Sequence, residues 1–353
     1  MTKGMKKGYV RPLDLRQGRI DMNHGAGGRA SSQLIEEVFA RAFDNAYLRQ
    51  GNDGALLDMP PGHRLVMATD AHVISPLFFP GGDIGSLSVH GTVNDVAMLG
   101  AVPLYLSASF ILEEGFPLAD LKRIVDSMAA ASRAAGVPVV AGDTKVVEQG
   151  KGDGVFISTT GVGAVPTGRV IGGALARPGD AVLVSGSIGE HGVAVLSQRE
   201  SLEFETSILS DSAALHTLVQ AMLAAVPEGA VHVLRDPTRG GVATTLNEIT
   251  RQSGVGITLQ EAAIPVLPQV EAACELLGLD PLYVANEGKL LAIVAPEAAD
   301  AVLAAMRAHP LGAAAARIGE VTADPHHFVQ MATRFGGRRM VDWLSGEQLP
   351  RIC

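Results

Sequence analysis

Near its middle this 353-residue chain is broken by a stretch that neither a helix nor a strand can cross: Val165–Asp180 holds Pro166, Gly168, Gly172, Gly173, Pro178 and Gly179. Proline removes a backbone donor and glycine is the costliest residue to order, so such a run marks a boundary. Each flank is long enough to close a core of its own, and 47% of all residues are hydrophobic. A first domain over 1–166, a second over 167–343 and a tail over 344–353 are therefore expected.

Within the first domain, apolar residues at three- and four-residue spacing (Leu34, Ile35, Val38, Phe39, Ala42, Phe43) predict a helix from about Ser32 to Leu48. Leu118–Ala135 predicts a second helix, closed by Gly136. Strands are expected at Leu65–Thr69, at Pro103–Leu112 by alternation, and at Val137–Ala141 and Val155–Gly161. The second domain should hold strands at Ala181–Ser185, Leu290–Val294 and Phe328–Met331. Its helices are expected near Ser212–Val226, Gly241–Gln252 and Glu297–Ala308. Strands do not alternate strictly with helices, which favours an α+β class over a doubly wound parallel sheet.

Composition narrows the function classes. A formal net charge of −9 with only 28 Lys and Arg argues against nonspecific nucleic-acid binding, and 4% aromatic residues against a base-stacking platform. Met1–Arg11 is basic but lacks the apolar run of a signal peptide, and no apolar stretch is long enough to span a bilayer, so no membrane role and a cytoplasmic location are expected. Two cysteines, Cys274 and Cys353, supply neither a disulfide framework nor a zinc spacing.

Cys353 is the last residue. A thiol at the tip of a tether has a reach of about 30 Å from Ser345, at roughly 3.3–3.6 Å per residue, and is a movable nucleophile; a frayed terminus is the plainer alternative. Aspartates fall in four turn-like settings: Asn52-Asp53-Gly54, Thr69-Asp70-Ala71-His72, Asn94-Asp95 and Gly142-Asp143-Thr144-Lys145. Singly, each reads as a turn former; together they make an oxygen-rich set suited to magnesium on nucleotide phosphates. His24-Gly25-Ala26-Gly27-Gly28 precedes a helix, where bare N–H groups can face phosphate, although glycine loops also merely cap helices. Asp236-Pro237-Thr238-Arg239-Gly240-Gly241 repeats the acid-plus-glycine theme. Asn286-Glu287-Gly288-Lys289 puts a carboxylate in a turn, either solvated or aimed into a cleft as a base.

His24–Gly28, Asp53–Ala55, Thr69–Ala101, Gly142–Val147, Asp236–Gly241, Asn286–Lys289 and the terminal Pro350-Arg351-Ile352-Cys353 together resemble a known family over nearly the whole length. It is the family of carbamoyl dehydratases that make cyanide ligands for nickel–iron hydrogenases, within the ATP-using superfamily of aminoimidazole ribonucleotide synthetase. The resemblance implies two synthetase-like domains with a flexible tail, and ATP with Mg2+ as cofactors. It also implies dehydration of an S-carbamoyl group on Cys353 to a thiocyanate. Asp53, Asp70, Asp95, Asp143 and Asp236 would organise metal and phosphates, with His24, Gly25, Gly27, Gly28, Asn94 and Gly142 beside the nucleotide. Cys353 would carry the group, Glu287 would act as base, and Lys145 would supply a fixed cation. A HypF carbamoyltransferase would load the tail, a HypC–HypD complex would accept the cyanide, and a homodimer is implied. Two other functions stay open on the residues alone: a synthetase or kinase acting on a free small molecule, and a nonenzymatic nucleotide-binding carrier.

Overall fold

The computed structural model describes residues 12–50, 52, 54–200, 208–345 and 351–353. The first domain is built on a four-stranded sheet of β1 (His63–His72), β2 (Val102–Glu113), β3 (Val139–Val147) and β4 (Val155–Pro166), in the order β1-β4-β2-β3. β4 pairs antiparallel with β1 and β2, whereas β2 and β3 run parallel, joined by a helical crossover. α1 (Arg29–Leu34) continues through a π turn at Ile35–Ala40 to a last turn at Arg41–Phe43, so the expected single helix is interrupted. That turn leaves Ile35 exposed while Leu34, Val38, Phe39 and Phe43 stay buried, with the Phe39 ring edge-on to Phe110 of β2 at 4.9 Å.

Two helices cover one face of the sheet. α2 (Ile84–Ala97) starts from Asp83, whose Oδ1 accepts from the N–H groups of Gly85 and Ser86 at 2.8 and 3.1 Å. α3 (Leu118–Ala135) ends as expected at Gly136, whose φ of 68° suits a residue without Cβ. No helix was expected at α2, and its burial gives the reason. Leu87, Ser88, Val89, Thr92, Val93, Asn94 and Val96 are all buried, so the helix shows no apolar stripe against a polar one. Asn94 and Asp95 therefore lie on a helix rather than in the turn read from the sequence. Asp70 and Asp143 likewise lie within β1 and β3 rather than in turns.

The chain passes to the second sheet between Pro166 and Ala181. That sheet contains β5 (Ala181–Val184), β6 (Val231–Arg235), β7 (Gly256–Gln260), β8 (Leu291–Val294), β9 (Ala316–Thr322), β10 (Val329–Ala332) and β11 (Arg338–Met340). Its order is β11-β10-β7-β9-β5-β8-β6, antiparallel except for β7 with β10. Every residue of β5 and β8 is buried because helices cover both faces. α4 (Glu190–Arg199), α5 (His216–Ala224), α6 (Gly241–Ser253), α7 (Pro268–Leu277) and α8 (Ala299–Ala308) complete the domain. Val242, Leu246 and Ile249 of α6 pack on Val182, Val184 and Ile293, while Leu218, Met222, Val302 and Met306 pack on Leu183, Ala292 and Val294. The α+β expectation holds.

The domains are sewn together along one seam. Ala97 and Met98 enter the second domain's core, and Val195, Ala285 and Ile352 enter the first domain's. Asn94 spans the seam: its Nδ2 donates to the carbonyls of Ala213 at 3.0 Å and Glu287 at 3.4 Å, and its Oδ1 accepts from the N–H of Leu215 at 2.7 Å.

Candidate active site at the domain seam

β1, α2, the turn after β6, the turn before β8 and the chain's end converge on the seam. Alternation along β1 turns Val66, Asp70 and His72 toward α2. The helix leaves room there because Gly91 has no side chain: a Cβ would sit 3.2 Å from His72 Nε2 and 3.3 Å from Asp70 Oδ2. His72 Nε2 lies 3.4 Å from Asp70 Oδ2, its Nδ1 is buried without a hydrogen-bond partner among the described residues, and burial pushes its pKa down.

The carboxylates at this point strain against one another. Burial, with Asp236 and Asp70 close by, pushes Asp95 up to about 7, against the pull of Arg235. Asp236 rises to about 6, chiefly through burial and then the Asp70 charge. Glu287 is 4% exposed and its carboxyl is lifted well above the usual range by burial, then by Asp236, Asp211, Asp70 and Asp95. Its Oε1 is buried and meets no hydrogen-bond partner among the described residues. Asp95, Asp236 and Glu287, three carboxyls raised by burial and close to Asp70, are poised to exchange protons or to receive positive charge.

The turn that carries Glu287 is tightly held. Asp211 accepts from the N–H groups of Glu287 and Gly288, each at 3.1 Å, and from Lys289 Nζ at 3.2 Å. Position 288 admits only glycine, since a Cβ would lie 1.7 Å from the Asp211 carbonyl oxygen. Asn286 has no exposed surface; its Oδ1 accepts from Gly189 N–H at 2.8 Å and its Nδ2 donates to Pro237 O at 3.0 Å, tying this turn to the one after Asp236.

Into this seam comes the tail. Residues 346–350, and with them Pro350 of the terminal motif, lie outside the described residues, but Arg351–Cys353 are docked rather than loose. Val73 N–H donates to Cys353 O at 2.9 Å and Ser75 N–H to Arg351 O at 3.2 Å, while Arg351 pairs with Asp153. Ile352 is 3% exposed within the first domain's core. Burial, then Glu287 and Asp70, push the Cys353 thiol up to about 12, against the pull of Arg239. Docked in this way the sulfur is a thiol and not a nucleophilic thiolate.

Asp70, Asp95, Asp236, Glu287 and Cys353 therefore come together as a set. Asp53 lies outside the described residues. Asn94 lies at the seam on α2, and the other expected residues form a second neighbourhood around the edge strand β3. Asp143 and Lys145 are 63% and 65% exposed and pair with each other, an ion pair that holds the Asp143 carboxyl below its usual range. The His24–Gly28 loop abuts this strand, since a Cβ on Gly25 would meet Val146 Cβ at 2.8 Å. His24 Nδ1 is occupied there, accepting from Asp21 N–H at 3.0 Å, and Gly27 N–H donates to Ser31 Oγ at 2.9 Å. Sequence reasoning gave no role to Asp211, Lys289, Arg199, His191 or Arg239, because their partners are distant in the chain.

Comparison with known proteins fits this geometry. The AIR synthase related protein N-terminal domain model matches residues 51–165, and its C-terminal counterpart matches 177–332. The carbamoyl dehydratase HypE of Cupriavidus necator is 76% identical over 353 residues, covering 100% of both chains. This chain belongs to the HypE family. It is thus an ATP-dependent carbamoyl dehydratase of hydrogenase maturation. Among solved structures, a hydrogenase maturation protein HypE in complex with ATP is 52% identical, with a TM-score of 0.90 over 94% of this chain and 99% of that one. A HypE–HypF complex matches at 51% identity and a TM-score of 0.77, over 88% and 99%.

Proposed function

We propose that the HypE-family reaction of this chain takes place in the seam, with Cys353 carrying the carbamoyl group and Glu287 removing its nitrogen protons. The observation that carries this reading is the seat of Cys353 beside a buried Glu287 whose Oε1 has no hydrogen-bond partner among the described residues. In the thiocarbamate, oxygen cannot leave carbon as hydroxide at neutral pH. Transfer of the γ-phosphoryl group of ATP to that oxygen converts it into a phosphate leaving group. Loss of two N–H protons and departure of phosphate then leave S–C≡N, ADP and inorganic phosphate. A carboxylate with a raised pKa is the stronger base once ionised, so the burial that lifts Glu287 suits it to this work.

Asp70, Asp95 and Asp236 fit magnesium in donor type and in mutual repulsion. Among the described residues no three His, Cys, Asp or Glu side chains are arranged to hold an ion unaided; an ion on nucleotide phosphates needs only one or two carboxylates plus phosphate oxygens. When bound, magnesium neutralises charge on the nucleotide phosphates. The His24–Gly28 loop with Gly142, Asp143 and Lys145 serves the nucleotide from the β3 side, Lys145 as its cation and Asp143 on the metal and phosphate side.

Loading of Cys353 belongs outside the seam, because the docked thiol is held protonated. A HypF-type carbamoyltransferase is the donor by analogy with the relative solved in that complex, a HypC–HypD complex is the acceptor, and the active form is a homodimer in the cytoplasm. Among the described residues no helix is long and apolar enough to cross a membrane. The deciding experiment is mass spectrometry of the C-terminal peptide after incubation with carbamoyltransferase, carbamoyl phosphate and ATP. A carbamoyl adduct on Cys353 that loses one water is expected. A chain lacking Cys353 that still makes thiocyanate would overturn the proposal.

A further inference from the structure

A main-chain oxygen of each residue of the docked tail accepts a hydrogen bond, and on the side of the second domain one helix supplies the donors. His191, in the first turn of α4, is fully buried; its Nε2 lies 2.8 Å from Ile352 O and its Nδ1 lies 2.8 Å from Ser210 Oγ. A carbonyl only accepts, so Nε2 must bear the proton. Nδ1 is then a lone pair and takes the Ser210 hydroxyl proton, while Ser210 Oγ accepts from Ser212 N–H at 3.1 Å. The partners leave one tautomer. Eight residues along the same helix, Arg199 Nη2 donates to Arg351 O at 2.9 Å, and its Nε and Nη2 donate to Ser75 O at 2.8 and 2.6 Å. Arg199 thus binds the tail and the first-domain segment that pairs with it.

We propose that α4 is a two-point clasp in which His191, as the Nε2–H tautomer, and Arg199 are positioning residues: by holding the carbonyls of Ile352 and Arg351 they set how far the Cys353 sulfur enters the acid cluster. Both side chains reach the tail at its main-chain carbonyls, so each acts through the tail's backbone. Burial lowers the His191 pKa and keeps the ring neutral, as single donation to the carbonyl requires. The ring also stands edge-on to Phe79 at 5.4 Å, which fixes its plane. The clasp reads main-chain carbonyls, so a one-residue shift of the tail would move both gripped carbonyls out of register.

The inference rests on the reading that Cys353 carries the substrate, and the test separates the two. In the full-length protein, His191→Phe keeps the ring and its packing but removes the donor, while His191→Gln places an amide N–H near the Nε2 position. Two quantities are read: the rate of Cys353 alkylation by iodoacetamide, followed on the C-terminal peptide, and single-turnover thiocyanate formation on pre-carbamoylated protein. Loss of one net hydrogen bond should raise alkylation about fivefold and slow thiocyanate formation by a similar factor, and His191→Gln should return both toward wild type. Arg199→Met should move both readouts in the same direction, which keeps the proposal exposed if the Phe variant folds poorly. Wild-type rates in both His191→Phe and Arg199→Met would overturn the clasp, as would a Gln variant that folds normally yet is as impaired as Phe. Wild-type protein that forms no thiocyanate on Cys353 would sink the functional reading, while the alkylation rates would still decide the clasp.

Discussion

Two acidic neighbourhoods of this chain are written in similar letters and sit in opposite surroundings. On the edge strand β3, Asp143 and Lys145 are solvated, and Asp143 is held ionised by its neighbour. At the seam, Asp95, Asp236 and Glu287 are enclosed, and each carboxyl is pushed up by burial before any neighbour acts on it. Water screens the first set far more than the second, so equal charges carry unequal energies. The lesson is that chemistry at neutral pH needs the enclosed set, whereas the open set suits steering and phosphate contact.

The sharpest way to break that comparison is to neutralise one acid from each region. Glu287→Gln should cut thiocyanate formation roughly 100- to 10,000-fold, the usual worth of a positioned base, while leaving the melting temperature level or higher because a buried carboxyl whose Oε1 has no partner among the described residues is removed. Asp143→Asn should cost far less. Equal losses in a single-turnover assay would show that exposure is no guide to role here. Lys145→Ala comes next. Removing one charged hydrogen bond to phosphate should slow ATP turnover by about tenfold or somewhat more, visible as weaker nucleotide binding, and an effect as large as that of Glu287→Gln would move the chemical centre toward β3.

The same contrast explains what was legible in the sequence. The amphipathic α3 could be read, as could the alternating β2, because each shows one face to water. α2 could not be read, because a helix buried on nearly all sides has no polar face to set a period, and β5 and β8 read as short apolar runs for the same reason. The acids of the site were visible as residue types near glycine. Their enclosure was not, since it depends on Gly91 giving way to Asp70 and on Asp211 holding the Glu287 turn from 76 residues away. The terminal cysteine was conspicuous, but a tether with no periodicity gives no sign of its dock.

Raised carboxyls also leave a signature in stability. An unfolded aspartate titrates near 4. Asp95 at about 7 and Asp236 at about 6 therefore bind more protons in the folded chain than in the unfolded one between those limits. Their contribution is fully present below about pH 4 and is lost as pH rises through 6 to 7. In the absence of metal and nucleotide, Asp95→Asn should flatten the fall in melting temperature between pH 5 and pH 8 and sit a few degrees above wild type at pH 8. The same substitution on Asp143 should produce no such gain. Parallel curves for Asp95→Asn and wild type would show that the seam admits enough water to ionise its acids freely.

The smallest effect on chemistry should come from the residue next to Asp95. Asn94 was expected beside the nucleotide, yet its amide is taken up by protein: Nδ2 by the carbonyls of Ala213 and Glu287, and Oδ1 by Leu215 N–H. With its donors and acceptor engaged across the seam, it serves as a strut between domains, and one of its bonds ends on the backbone of the proposed base. Asn94→Ala leaves those partners unsatisfied in a buried place, which should cost about 1–3 kcal/mol of stability. Glu287 is still anchored through Asp211, so thiocyanate formation at a temperature well below melting should fall only a few-fold. A folded Asn94→Ala protein that loses ATP affinity outright would reverse this assignment, making the amide a nucleotide ligand that must break its seam contacts before ATP can bind.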